Sequence, residues 1–182
     1  MPIAKGDRPD PVEIEIQPLD SLHERGAFCC ASTPKIQNYC RNNARKDHDA
    51  YKVRVYVAIA PGTKRVLGFY TLTLKSLVPE DVSETAKEKF SRVAAVPAIY
   101  LAMIGVTDEC AGGGIGKQLI AHAIQQSLEI SEIAGAFALA LDALDEEVAE
   151  LYAKHDFERF AAGELQMFLP LSVARASLEG GA

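Results

Sequence analysis

No window of this sequence approaches the about 18 uninterrupted apolar residues of a membrane-spanning helix, and the opening decapeptide MPIAKGDRPD lacks the apolar core of a secretory signal. A soluble, cytoplasmic protein without a membrane span is therefore expected. Cysteine is sparse: Cys29, Cys30, Cys40 and Cys110 form no C-x-x-C pair, so neither a zinc site nor a disulfide framework has supporting spacing, no metal is expected, and buried thiols are the simpler reading. Repeats, low-complexity tracts and linkers are absent too, which leaves no internal domain boundary.

What is present suits one globular unit. The chain has 182 residues, 48% of them hydrophobic, enough for a sizeable core. Its net charge of -6 is unevenly spread. Residues 31–78 carry nine Lys/Arg against Asp47 and Asp49, a local +7, whereas residues 131–182 carry ten acids against three bases, a local -7. Such a split suggests one face that attracts polyanions, the alternative being two ordinary solvated faces.

Hydropathy patterning predicts the element order. Val12–Ile16 (VEIEI) alternates as a strand, and Pro34 starts a helix over Lys35–Ala44. Val53–Ala60 and Arg65–Leu74 are β-rich runs joined by the hairpin signal Pro61-Gly62-Thr63-Lys64. A charged helix is expected over Glu80–Arg92, then the nearly all-apolar strand Ala98–Val106, which reads as buried on both faces. After a run of glycines come a helix over Lys117–Ala134, a strand Phe137–Leu141, a helix Asp145–Lys154 and a last strand Leu165–Leu171. Residues 1–171 form one mixed α/β domain on this reading, and 172–182 a frayed tail.

The glycines are the first chemical clue. In CAGGGIGKQLI, residues 110–120, they separate a strand end from a helix start, where backbone N–H groups and the helix dipole favour phosphate oxygens. A Walker A loop would need Gly at Ala111 and Ser/Thr at Gln118, and a Rossmann loop would need Gly at Lys117; both readings fail. A tight turn without a ligand stays open.

The loop resembles the pyrophosphate loop of the GNAT acetyltransferases, Q/R-x-x-G-x-G/A, matching at Gly114 and Gly116 and departing at Ala111. The resemblance extends over residues 14–171. An acid-rich helix carries Glu150-Leu-Tyr-Ala-Lys-His-Asp-Phe157, similar to the F-Y-x-x-x-G-F ending with Asp156 in the glycine place, and LDSLHERGAFCC (Leu19 to Cys30) precedes a helix through Ile36, Tyr39 and Ala44. Order and spacing together resemble one branch, the GNAT toxins of bacterial toxin–antitoxin pairs. Met103 departs from that branch, standing where L-G-R-L-A-V has arginine.

The resemblance implies a single GNAT-like domain: a mixed, mostly antiparallel twisted sheet with a splayed parallel pair at its centre and flanking helices. It implies acetyl-CoA as cosubstrate, with Ile104 and Val106 offering backbone groups to its pantetheine arm and Gly112, Gly113, Gly114, Ile115, Gly116 and Lys117 holding its pyrophosphate. Tyr152 would be the acid for the departing thiolate, since a phenol of reference pKa about 10 is neutral at cellular pH; taken alone it reads as a core aromatic. Asp142, at a strand end, is a general-base candidate that reads more simply as a cap or turn acceptor. His23 and His155 read as structural. The branch acetylates the amino acid on charged tRNA, so Lys35, Arg41, Arg45, Lys46, Lys52 and Arg54 would track phosphates. A ribbon-helix-helix antitoxin and a homodimer are the implied partners. The competing functions are an N-acetyltransferase for a small amine or peptide terminus, and a non-catalytic acyl-CoA-binding or partner-binding module. The sequence pI of about 5.3 is low for an RNA binder.

Overall fold

The computed structural model describes residues 12–161, 163 and 165–180; the opening decapeptide and the last two residues lie outside that range. Among the described residues seven strands form one sheet in the order β1-β2-β3-β4-β5-β7-β6. They are β1 (Glu15–Pro18), β2 (Arg54–Ile59), β3 (Val66–Leu77), β4 (Val96–Val106), β5 (Ala138–Asp142), β6 (Glu158–Arg159) and β7 (Gln166–Pro170). Of these strands β4 and β5 pair in parallel, and the other neighbours are antiparallel. This is the mixed sheet with a central parallel pair that the sequence implied.

Period-two alternation puts two apolar rows on the sheet, and each is covered. On one face Tyr70, Leu72, Ile99, Leu101, Leu139 and Leu141 pack under α5 (Ile115–Ala134), α6 (Glu146–Ala153) and α7 (Leu171–Gly180). On the other, Val55, Val57 and Phe69 meet α1 (Pro34–Asn38) and α2 (Ala44–Asp49), while Ala98, Ala138 and Phe168 meet α3 (Pro79–Val82) and α4 (Glu84–Lys89). Helices on both faces follow from a sheet whose central strands are apolar on both faces.

Several expectations change. The helix expected over Lys35–Ala44 runs on through a π turn (Tyr39–Asn43) to Asp49. The single charged helix Glu80–Arg92 is two short ones, because Ser83 is extended and its hydroxyl caps the second by accepting from the Ala86 N–H at 3.1 Å. The first strand starts at Glu15, where pairing with Ile59 begins. Residues 172–180, expected to fray, belong to α7: Leu171 and Ala174 are buried and Arg175 pairs with Glu132 of α5. Of the four thiols only Cys30 and Cys40 are buried; Cys29 is exposed and Cys110 half-buried. No helix among the described residues is long and apolar enough to cross a membrane.

Candidate active site

The site is built where β4 and β5 part. They pair from Ala98↔Ala138 to Leu101↔Leu141, after which β4 continues to Val106 with β3 alone beside it. A bulge falls at this fork: Thr71 opposes Met103 and Leu72 opposes Leu101, leaving Ala102 as the extra residue, and the Met103 N–H turns to the Thr71 hydroxyl at 3.1 Å. The extra residue shifts the alternation by one. Ile104 and Val106 thereby join the α5 face, while Met103 joins the face that carries α1.

The backbone polarity at the fork follows from the ladder. Thr107 donates to the Leu67 carbonyl at 2.8 Å, so Gly105, two residues back, also turns its backbone groups to β3. Ile104 and Val106 then turn theirs to the open side, as the sequence reading required of them. Gly105 itself admits α1: a Cβ there would stand 2.6 Å from Ile36 Cγ2.

Beyond the strand, a short 3-10 turn (Asp108–Cys110) leads into the glycine loop. Gly112 and Gly114 have φ of +79° and +82°, a region that residues with a Cβ enter at a cost, and Gly114 serves as the N-cap of α5. Among the described residues the N–H groups of Gly114, Ile115, Gly116 and Lys117 have no protein acceptor, and no side chain caps the helix. The result is a bare helix start with four free donors. Its shape is braced from the N-terminal side: the Val12 N–H donates to Gly113 O at 3.2 Å and Gln118 Nε2 donates to Val12 O at 3.1 Å.

Tyr152, on α6, is 4% exposed and packs on Phe157, ring centroids 5.4 Å apart. Burial pushes its phenol up to about 12, so it is protonated throughout the physiological range. Its hydroxyl has no hydrogen-bond partner among the described residues and is not sealed off in the core. Asp156 follows at φ +65°, the turn for which the F-Y-x-x-x-G-F pattern uses glycine.

These elements line one cavity of about 790 Å3. Ile104, Val106, Gly112, Gly114, Gly116, Lys117 and Tyr152 all border it; Gly113 instead packs on Val12, and Ile115, the first residue of α5, turns its side chain into the core. The opposite wall is Ser32, Thr33, Lys35 and Ile36. Asp142 lines it as well and caps no helix: it accepts the Tyr100 hydroxyl at 2.7 Å, and Asp145 caps α6, accepting from the Val148 N–H at 2.9 Å. The cavity suits a phosphorylated thioester: free N–H donors at one end, an open strand edge along the middle and a neutral phenol at the fork.

The expected basic track fares less well. Arg41 Nε donates to the Phe28 carbonyl at 2.7 Å, Arg45 pairs with Asp49, Lys52 pairs with Asp47 at 3.1 Å, and Arg54 lies over the Tyr51 ring. Only Lys35 lines the cavity, and Lys46 is exposed without an ion pair among the described residues. His23 is buried, its Nδ1 accepting from the Asp20 N–H at 3.0 Å, consistent with a structural role. Sequence reading missed the Ser32–Ile36 wall and the Tyr100–Asp142 contact; a lone tyrosine in an otherwise apolar strand was the available signal.

No protein-family model matches the chain. A Sinorhizobium fredii (strain NBRC 101917 / NGR234) protein described as "Probable toxin TacT" is 32% identical over 173 residues, covering 88% of this chain and 93% of that relative. The chain belongs to the GNAT toxin family. Solved members have its fold. AtaT complexed with acetyl-methionyl-tRNAfMet superposes with a TM-score of 0.83 at 20% identity, covering 91% of this chain and 99% of that one. A tyrosine mutant of KacT gives 0.82 at 21%, covering 90% and 98%, and AtaTR bound with AcCoA gives 0.77 at 21%, covering 91% and 98%.

Proposed function

We propose that this GNAT toxin transfers the acetyl group of acetyl-CoA to the amino group of an aminoacyl-tRNA and so blocks translation. The observation that carries the reading is the meeting, in one cavity, of the free N–H groups of α5, the open edge of β4 and the buried neutral phenol of Tyr152. The similarity to TacT and to the fold of AtaT, which has been solved with acetyl-methionyl-tRNAfMet, supports it.

Acetyl-CoA supplies an activated acetyl thioester. The N–H groups of Gly114 to Lys117 and the Lys117 ammonium hold its pyrophosphate, and Ile104 and Val106 align the pantetheine arm through their backbone. Tyr152 gives its proton to the departing sulfur. The burial that raises the phenol raises a thiolate beside it as well, so the two stay matched. The acceptor ammonium loses two protons overall: one restores the phenol through solvent and one is released.

Lys35, Lys46 and Arg54 are the basic side chains best free to meet RNA phosphates, with Arg41, Arg45 and Lys52 engaged within the protein. That engagement favours a second reading, acetylation of a small amine or peptide terminus. A cytoplasmic location, a homodimer and a ribbon-helix-helix antitoxin complete the proposal; AtaT has been solved bound to the C-terminus of the antitoxin AtaR. The test is transfer of labelled acetyl to charged tRNA, deacylated tRNA and free amines. Label on charged tRNA alone supports the toxin reading, label on small amines alone replaces it with the second, and no label on any of them replaces both with a non-catalytic binding module.

A further inference from the structure

We infer that Asp142, held by Tyr100, forms the site that receives the acceptor's ammonium group, on the sheet face opposite Tyr152. This rests on the acetyltransferase reading above.

Strand alternation fixes the faces. Ala138 and Ala140 of β5 pack with Ala98 and Phe168 beneath α3 and α4, whereas Leu139 and Leu141 lie on the α5 face with Tyr152. Asp142 continues the first row, and Tyr100 continues the row of Ala98. The strands pair at Tyr100↔Ala140 and Leu101↔Leu141 and then part, so the two side chains meet across the fork. Tyr100 donates to Asp142 Oδ2 at 2.7 Å, and Oδ1 has no protein partner among the described residues. Burial first, then the contact with Asp142, pushes the Tyr100 phenol up, so it stays a donor. Lys75 Nζ lies over the tyrosine ring at 4.2 Å, fixing its plane.

Charge selects the ligand. Among the described residues lining the cavity Asp142 is the one acid, and Lys35 and Lys117 are the bases. With the cofactor held from the α5 face, the fork's other face is the approach left for the second substrate. A primary amine with a pKa of about 8 arrives there largely as a cation. The free Oδ1 is the group that can receive it, and a charge-assisted hydrogen bond of this kind is worth about 10- to 100-fold in affinity. Tyr100 is a positioning residue, aiming the carboxylate across the gap.

The test is equilibrium binding, by NMR titration of the full chain, of alanine methyl ester and of methyl isobutyrate, which replaces the ammonium by a methyl group. Wild type should favour the amine about 10-fold or more, Asp142→Asn should bring the two probes to parity, and Tyr100→Phe should fall between. Asparagine can still accept from Tyr100, so the fold is kept. Equal binding of the two probes by wild type, or an unchanged preference in Asp142→Asn, overturns the inference. A purely structural pair would lower Tm in Tyr100→Phe and leave the preference untouched. Acetyl-CoA binding, measured on the same samples by calorimetry, separates the two ideas: its absence strikes the acetyltransferase reading, while the amine preference still decides this one.

Discussion

Two substitutions of Gly116, to alanine and to valine, separate what the loop does for the fold from what it does for the ligand. Gly116 sits in the first turn of α5 without the positive φ of Gly112 and Gly114, and a Cβ built there meets only Val106 Cγ2, at 3.9 Å. Alanine therefore fits without strain and removes unfolded-state freedom, which stabilises by about 0.4–1 kcal/mol. For a domain of this size that raises Tm by roughly 1–4 °C. The same methyl stands on the cavity wall beside the free N–H groups of Ile115 and Lys117. The loop pattern admits alanine at this place, so a methyl leaves the pyrophosphate its donors, whereas the branched side chain of Gly116→Val on the same wall makes a phosphate oxygen retreat and lose at least one charge-assisted hydrogen bond, about 1.5–3 kcal/mol, or roughly 10- to 150-fold in affinity. Differential scanning calorimetry of the free protein and isothermal titration with acetyl-CoA read the two effects separately. Acetyl-CoA binding by Gly116→Val as tight as that of wild type would refute the assignment of this loop to the pyrophosphate.

Three further outcomes follow from other parts of the molecule. Gly105→Ala drives a methyl to 2.6 Å from Ile36 Cγ2, and overpacking of about 1–3 kcal/mol should lower Tm by roughly 2–12 °C on thermal melts, against no change if α1 were loosely attached. Tyr152 and Tyr39 are both held up to about 12, above the ordinary value of 10. The unfolded chain therefore releases these protons first, and stability, fully present below pH 10, should fall between about pH 10 and 12 in denaturant titrations; Tyr152→Phe should soften that loss. Neutralising Lys35, Lys46 and Arg54 together should reduce the slope of log K against log salt for tRNA by up to about 3, read by filter binding, whereas an unchanged slope would move the RNA contact elsewhere.

Much of the architecture was legible because its signals are local. The hairpin at Pro61–Lys64, the apolar strands and the long helix after the glycines follow from turn chemistry and period, and the observed bounds differ by a few residues. What was illegible depends on partners distant in sequence. The run AIYLAMIGV is apolar nearly throughout, so no alternation marks Ala102 as a bulge, and the faces taken by Tyr100, Met103 and Ile104 could not be read. The π turn at Tyr39–Asn43 breaks helical period without any Gly or Pro to announce it. In α7 only Leu171 and Ala174 are buried, and the pairing of Arg175 with Glu132 of α5 joins residues far apart in the chain. The site divides the same way. The glycines and Tyr152 were visible as a motif, whereas Asp142 gains its role from the parallel pairing of two strands and their parting at Leu101↔Leu141.

The measurement that tests the central claim most directly is single-turnover transfer of labelled acetyl from acetyl-CoA to bulk charged tRNA by wild type and Tyr152→Phe. The Tyr152 hydroxyl makes no hydrogen bond among the described residues and its ring packs on Phe157, so the variant should fold as wild type does. Losing the general acid should slow transfer by about 100- to 10,000-fold. Label on charged but not deacylated tRNA, lost with the hydroxyl, is the predicted result. Transfer at the wild-type rate by Tyr152→Phe, or no label on charged tRNA, would contradict the account.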